Sequence, residues 1–241
     1  MDKDLPLRNI DNLKALTRSQ VQEVIEEIQL VEEINIYLDA INKKDARRST
    51  GYFSPSSIPY CGRAMYYQRS GEVQNECLFP GTRIIFDIGT AIHGVLQDYI
   101  TKALGDDCFR TEVFCRDDEL HLIGSADGLL DLPYDRRLLE IKSISPKGFK
   151  GLAKPKSEHL MQAHCYAYML DAPMLWFLYY EKSLGEMRLF TETFDKRIWG
   201  KVTDKLERIE RCVEKGNPPP KELGYTCKEC RYSWCCDPNA G

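Results

Sequence analysis

Apolar residues recur along the chain with two periods, and their order sets the expected fold. Between residues 17 and 44, Val21, Val24, Ile28, Val31 and Leu38 fall at helical spacing, with Asn35 where another apolar residue is due. That pattern fits a helix capping the core, or a short coiled-coil or partner helix. Lys43 to Thr50 is polar and reads as a linker. Ser54 to Ser70 reads as a short helix after a Ser-Pro start. Asp87 to Leu104 is a stronger helix, with Ile88, Ile92, Leu96, Tyr99 and Leu104 on or near one face. Three extended stretches follow, Phe109 to Arg116, Leu120 to Leu132 and Arg136 to Ile144, with a turn at Pro133-Tyr134-Asp135 between the last two. A helix from Lys156 to Leu170, strands Met174 to Lys182 and Glu186 to Phe194, and a helix from Lys196 to Glu214 complete the pattern. Gly216 and three prolines end the last helix. This order predicts an α/β architecture, a mixed sheet with helices packed on it.

Composition narrows the picture only in part. A chain of 241 residues with 43% hydrophobic residues can form one large domain with an appended segment. The net charge of -4 does not announce a nucleic-acid binder, so such a role must rest on local patches. The start of the chain lacks the apolar run of a leader, and Ala172 to Tyr180 is too short to cross a membrane. A cytoplasmic location is therefore expected, where ten cysteines are better suited to metal binding than to disulfides.

Two strands carry charge where strands are otherwise apolar. Asp127 lies within Gly124-Ser125-Ala126-Asp127-Gly128-Leu129, and Glu140 and Lys142 interrupt Leu138-Leu139-Glu140-Ile141-Lys142-Ser143. Strand period two puts Glu140 and Lys142 on one face, and hairpin pairing would bring Asp127 near Glu140. Two neighbouring carboxylates repel, and burial raises the cost. Mg²⁺ or Mn²⁺, which take oxygen ligands, would remove the conflict and activate water against a phosphate. Lys142 suits orienting that water or neutralising charge developing on phosphorus. A lone E-x-K, however, is more often an ordinary surface pair.

The company these residues keep resembles the P-D-(D/E)-x-K nuclease superfamily, specifically its RecB-like branch. Gly89-Thr90-Ala91-Ile92-His93 is similar to the G-x-x-x-H motif, and Gly124 to Asp127 to the G-x-x-D motif, with Ala126 where the superfamily name has Pro. Glu140-Ile141-Lys142 is similar to E-x-K, and Gln162 to Tyr166 to Q-x-x-x-Y. The resemblance implies a restriction-endonuclease-like core. It assigns His93, Asp127, Glu140 and the Ile141 carbonyl to a divalent metal and makes Lys142 the catalytic lysine. Gln162 and Tyr166, one helical turn apart, would position the active site or the DNA backbone. Gly89 would leave room for close approach on the His93 face. His159 and His164 read as surface or supporting groups, and His121 as an ordinary strand residue.

The C-terminus carries Cys227, Cys230, Cys235 and Cys236. C-x-x-C is a chelating turn, Cys236 supplies a third thiolate, and Cys61 is the candidate for a fourth. This one-plus-three arrangement resembles the iron–sulfur RecB-like nucleases, including the CRISPR-associated exonuclease family and the nuclease domain of AddB. Gly62 stands where many members have Pro. The resemblance implies a 4Fe-4S cluster on Cys61, Cys227, Cys230 and Cys236, acting as a structural clasp. Cys235 in place of Cys236, and zinc in place of iron–sulfur, remain alternatives. Cys77, Cys108, Cys115, Cys165 and Cys212 read as buried apolar groups.

Four regions are thus expected: an N-terminal helical segment (1–50), the first half of the iron–sulfur clasp (51–84), the nuclease core (85–215) and the C-terminal cysteine cluster (216–241). Lys147, Lys150, Lys154 and Lys156 lie in a Gly- and Pro-marked loop suited to phosphate contact. Phe149, Tyr66 and Tyr67 are candidates for base stacking. The leading expectation is a metal-dependent deoxyribonuclease, by resemblance an exonuclease on single-stranded ends, in repair, recombination or DNA processing. The alternative is a non-catalytic DNA-binding adaptor recruiting a helicase or integration complex; a zinc-ribbon binder is weaker. No phosphate-loop motif occurs, so any helicase would be a separate chain.

Overall fold

The computed structural model describes residues 18–45, 49–72, 80–132, 135–222, 227 and 230–236. Five strands form one mixed sheet in chain order: β1 (Phe109–Asp117), β2 (Leu122–Leu132), β3 (Asp135–Ile144), β4 (Met174–Glu181) and β5 (Met187–Thr193). Neighbours are antiparallel except β3 and β4, which run parallel and register Glu140 with Phe177 and Lys142 with Tyr179. The helices are α1 (Arg18–Asp45), α2 (Gly62–Arg69), α3 (Pro80–Leu104), α4 (Pro146–Lys150), α5 (Ser157–Met169), α6 (Lys196–Glu214) and α7 (Ser233–Cys236).

Helices cover both faces of the sheet. On one, α5 sets Ala163, Tyr166 and Ala167 against Ala126, Leu138, Leu175 and Phe177. On the other, Leu96 of α3 packs with Phe109, Leu130, Leu139 and Ile141. Beside the sheet, Val202, Leu206 and Ile209 of α6, spaced for one face, pack with Met65, Tyr66 and Tyr67 of α2. Asp195 caps α6 by accepting the Arg197 N–H at 2.7 Å. This α/β sandwich is the one the periodicity predicts, and α6 matches its expected span.

Several boundaries differ. The single helix expected over 54–70 splits into a 3₁₀ turn (Pro55–Ser57) and α2, because Pro59 has no N–H to carry a helix through. Helix α3 begins at Pro80, earlier than Asp87. Residues 146–150, read as loop, form a short helix capped by the Ser145 hydroxyl, which accepts the Gly148 N–H at 3.3 Å. His121 lies outside β2, in the left-handed region at φ 50°. The expected turn at Pro133-Tyr134 and the residue Cys77 lie outside the described residues. In α1, Leu38 is buried as expected, but Val31 is 55% exposed. The side chains of Val21, Val24 and Ile28, on the same expected stripe, lie outside the described residues. Among the described residues no helix is long and apolar enough to cross a membrane.

Candidate active site and cysteine clasp

The sheet opens at Asp127. The β1–β2 ladder pairs Thr111 with Gly128 and Val113 with Ala126 but skips Glu112 opposite Asp127. The β2–β3 ladder stops at Gly128 and Leu139, one step before Asp127 would meet Glu140. Glu112 has φ 48°, a left-handed conformation that side chains other than glycine seldom adopt. The pleat changes phase there. Gly124 and Ala126 face the α5 side, whereas Leu130 and the Phe109 ring beside Gly128 belong to the α3 side.

The Asp127 carboxylate fills the gap left by the parted strands. Its Oδ2 accepts the Ile141 N–H at 2.7 Å, and its Oδ1 lies 3.4 Å from His93 Nδ1 on α3. In a strand the N–H and C=O of one residue point to the same edge. The Ile141 carbonyl therefore faces the same opening. Glu140 and Lys142 do share a face: Lys142 Nζ donates to Glu140 Oε2 at 2.7 Å and stands 3.8 Å from Asp127 Oδ2. The other oxygen of Glu140, Oε1, is buried and has no hydrogen-bond partner.

Electrostatics follow from this crowding. Burial, opposed by Lys142 and reinforced by Asp127, pushes Glu140 up to about 7. Burial also works against the Asp127 charge, but His93, Lys142 and the Ile141 N–H outweigh it and hold that carboxyl below its usual range. Burial opposes the Lys142 ammonium, yet the two carboxylates raise its pKa. The lysine thus supplies the positive charge that the acids require. No three His, Cys, Asp or Glu side chains among the described residues are already closed to metal-binding distance. The donor set nonetheless suits a hard cation: two carboxylates, an imidazole, a carbonyl facing the gap, and one carboxylate oxygen without a partner.

Helix α5 supplies the far wall. A Cβ at Gly124 would lie 2.8 Å from Tyr166 Oη, so the glycine of G-x-x-D makes room for the tyrosine of Q-x-x-x-Y. Tyr166 is buried; its pKa is raised by burial first and by Glu140 and Asp127 next. Gln162 is half-buried one turn earlier on the same helix. Gly89, by contrast, has open space where a Cβ would stand, so close approach does not explain it. His159, read from sequence as a surface or supporting group, closes the site edge. Tyr179 Oη accepts the Lys156 N–H at 3.1 Å and lies 2.7 Å from His159 Nδ1. Burial, with Lys142 next in strength, lowers the His159 pKa to about 4, so the ring that shares this hydrogen bond with Tyr179 is neutral. His164 is fully buried, not at the surface; its Nε2 accepts the Asp195 N–H at 3.0 Å and its Nδ1 donates to the Leu160 carbonyl at 2.7 Å.

Lys147, Lys150, Lys154 and Lys156 are all exposed along the α4–α5 connection, and none is in an ion pair among the described residues. The aromatic expectations fail. Phe149 is 4% exposed beneath the Arg188 guanidinium, and Tyr66 and Tyr67 are core residues. Sequence reading also passed over Gln97, a buried side chain one turn after His93. Its i,i+4 spacing from that histidine was the available signal.

The two ends of the expected clasp do meet. The Gly62 N–H donates to Glu222 Oε2 at 3.2 Å, a bond that Pro could not make; Arg63 Nε donates to the Pro219 carbonyl at 2.7 Å, and Tyr67 Oη to the Cys235 carbonyl at 3.0 Å. The Cys230 thiol pKa is raised by burial and then by the neighbouring thiols of Cys61, Cys236 and Cys227. Cys235 donates to the Tyr232 carbonyl at 3.3 Å, and burial raises its thiol to about 11. Cys115 and Cys165 are buried as expected, whereas Cys108 and Cys212 are only partly covered.

No family model matches the chain, and no curated protein does. Solved structures do. The crystal structure of SSO0001 aligns with a TM-score of 0.54 over 86% of this chain and 95% of its own, at 18% identity. An alkaline exonuclease, LHK-Exo, from Laribacter hongkongensis aligns with a TM-score of 0.52 over 68% of this chain and 91% of its own, at 16% identity. At these identities the likeness is one of architecture: the chain has a restriction-endonuclease-like α/β fold, a mixed five-stranded sheet flanked by helices.

Proposed function

We propose that the chain is a divalent-metal-dependent deoxyribonuclease, acting as an exonuclease on single-stranded DNA ends in repair, recombination or processing. The observation that carries this reading is the break in the sheet. It gathers Asp127, Glu140, Lys142 and His93 and leaves buried Glu140 Oε1 without a partner. The architectural likeness to an alkaline exonuclease supports it.

Asp127, Glu140, His93 and the Ile141 carbonyl would hold Mg²⁺ or Mn²⁺. Bound there, the cation would lower the pKa of a water molecule and stabilise charge on the phosphate. Lys142, anchored by Glu140, presents its ammonium beside the same opening to orient the nucleophile or neutralise charge on phosphorus. Tyr166 and Gln162 wall the site from α5. The exposed lysines 147, 150, 154 and 156 would track the backbone of a single strand. Cys61, Cys227, Cys230 and Cys236 would hold a 4Fe-4S cluster, which would join the chain ends as a clasp.

The test is cleavage of end-labelled single- and double-stranded oligonucleotides with Mn²⁺, Mg²⁺ or chelator. Cleavage should require the cation and should vanish in Asp127→Ala, Glu140→Ala and Lys142→Ala while DNA binding persists. Wild-type protein that binds DNA without cutting under any of these conditions would favour the adaptor reading.

A further inference from the structure

Gln97 bridges the two residues at the break in the sheet. It is 7% exposed and lies one turn after His93 on α3. Its amide nitrogen donates to the Asp127 carbonyl at 2.7 Å and to Glu112 Oε1 at 2.8 Å. One side chain thus uses both amide protons on the two residues that the β1–β2 ladder skips.

An unpaired buried carbonyl is disfavoured. With both ladders interrupted at Asp127, its backbone needs another partner, and Gln97 provides it. The same bridge ties Glu112, in its left-handed conformation at φ 48°, to the helix that carries His93. Asp127 is therefore fixed twice from one helix face, through its carbonyl by Gln97 and beside its carboxylate by His93. Without the bridge, β1 and β2 could resume ordinary pairing, and the Asp127 carboxylate would lose its aim at the Ile141 N–H.

We propose that Gln97 is a positioning residue for the acidic site, setting the place of Asp127 relative to His93 and Glu140. This rests on the nuclease reading. The amide touches no reacting atom and acts through Asp127.

The test is Mn²⁺ binding, followed by electron paramagnetic resonance of the free ion, together with cleavage kinetics. The proteins are wild type, Gln97→Met, Glu112→Ala and Asp127→Ala. Gln97→Met keeps the length and removes both donors. Residues that orient a metal's ligands typically contribute 10–100-fold in affinity. Gln97→Met should therefore weaken Mn²⁺ binding by about tenfold or more, with KM for the oligonucleotide at saturating Mn²⁺ nearly unchanged. Glu112→Ala, at an exposed position, should shift the affinity in the same direction by less. Wild-type affinity in a folded Gln97→Met protein would overturn the proposal. If that variant does not melt cooperatively, wild-type affinity in Glu112→Ala overturns it instead. Asp127→Ala separates the two readings. If it binds Mn²⁺ and cleaves like wild type, the nuclease assignment fails. If it loses both while Gln97→Met is unaffected, only the positioning role fails.

Discussion

The acidic site and the cysteine clasp contrast in how their chemical groups are held. At the acidic site the groups hold one another: Asp127 takes the Ile141 N–H, Glu140 takes Lys142, and His93 approaches from α3. At the clasp the two segments are tied instead by bonds outside the thiols, Gly62–Glu222, Arg63–Pro219 and Tyr67–Cys235. Cys227 Sγ reaches the Glu222 carbonyl at 3.8 Å. A preformed site whose lysine stands in for a cation is suited to chemistry. Thiols gathered by segments distant in sequence are suited to fastening. Damage to the first should therefore cost activity with little loss of fold, and damage to the second should cost fold first.

The largest effect is expected at Lys142. Removing an electrostatic group that acts in the transition state typically costs 10²–10³ in rate. Lys142→Ala should lose about that much or more in single-turnover cleavage, while its far-UV circular dichroism stays native. Next comes the clasp. Cys230→Ala should lower the thermal midpoint by several degrees, because each kcal/mol lost moves a chain of this size by roughly 2–4 °C. It should also remove the visible absorbance of anaerobically purified protein. Cys235→Ala should do neither, and if it matched Cys230→Ala the choice of Cys236 would be wrong. A smaller effect belongs to the lysines. Lys150→Ala with Lys154→Ala should flatten the salt dependence of single-strand binding by about 1.4 in log–log slope, taking about 0.7 per phosphate contact.

The smallest expected effect is the pH dependence of His159. Burial holds its folded pKa near 4, whereas the unfolded chain titrates near 6.5. The neutral ring's contribution is complete above the unfolded value and is lost as pH falls from about 6.5 toward 4. Glu140, raised to about 7, runs the opposite way, contributing stability at low pH that is lost as pH rises through its folded value. The difference between wild type and His159→Gln isolates the histidine: the variant's thermal midpoint should fall less across that acid window. Parallel curves would mean that the ring is not held neutral by the fold.

Much of the fold was legible because strand and helix periods are local properties. The Lys196–Glu214 helix and the shared face of Glu140 and Lys142 follow from spacing alone. The break at Asp127 was not legible. It depends on a glutamate in a left-handed conformation, which nothing in its neighbours' identity requires, and on a helix that arrives from sequence thirty residues away. The aromatics show a second limit. Phe149, Tyr66 and Tyr67 have the chemistry for stacking bases, but burial, a tertiary property, commits them to the core. The clasp shows a third. Spacing left Cys235 and Cys236 open, because adjacent cysteines stand at nearly the same distance along the chain from the C-x-x-C pair.

The central claim is that Asp127 and Glu140 form one cation-dependent site for phosphodiester cleavage. Its most direct test is Mn²⁺-dependent cleavage of an end-labelled single strand by wild type and Glu140→Gln, with Mn²⁺ binding measured on the same samples. The account predicts that wild type binds and cuts, and that Glu140→Gln loses both while melting cooperatively. Cleavage by Glu140→Gln at the wild-type rate, or wild-type cleavage undiminished by chelator, would contradict it.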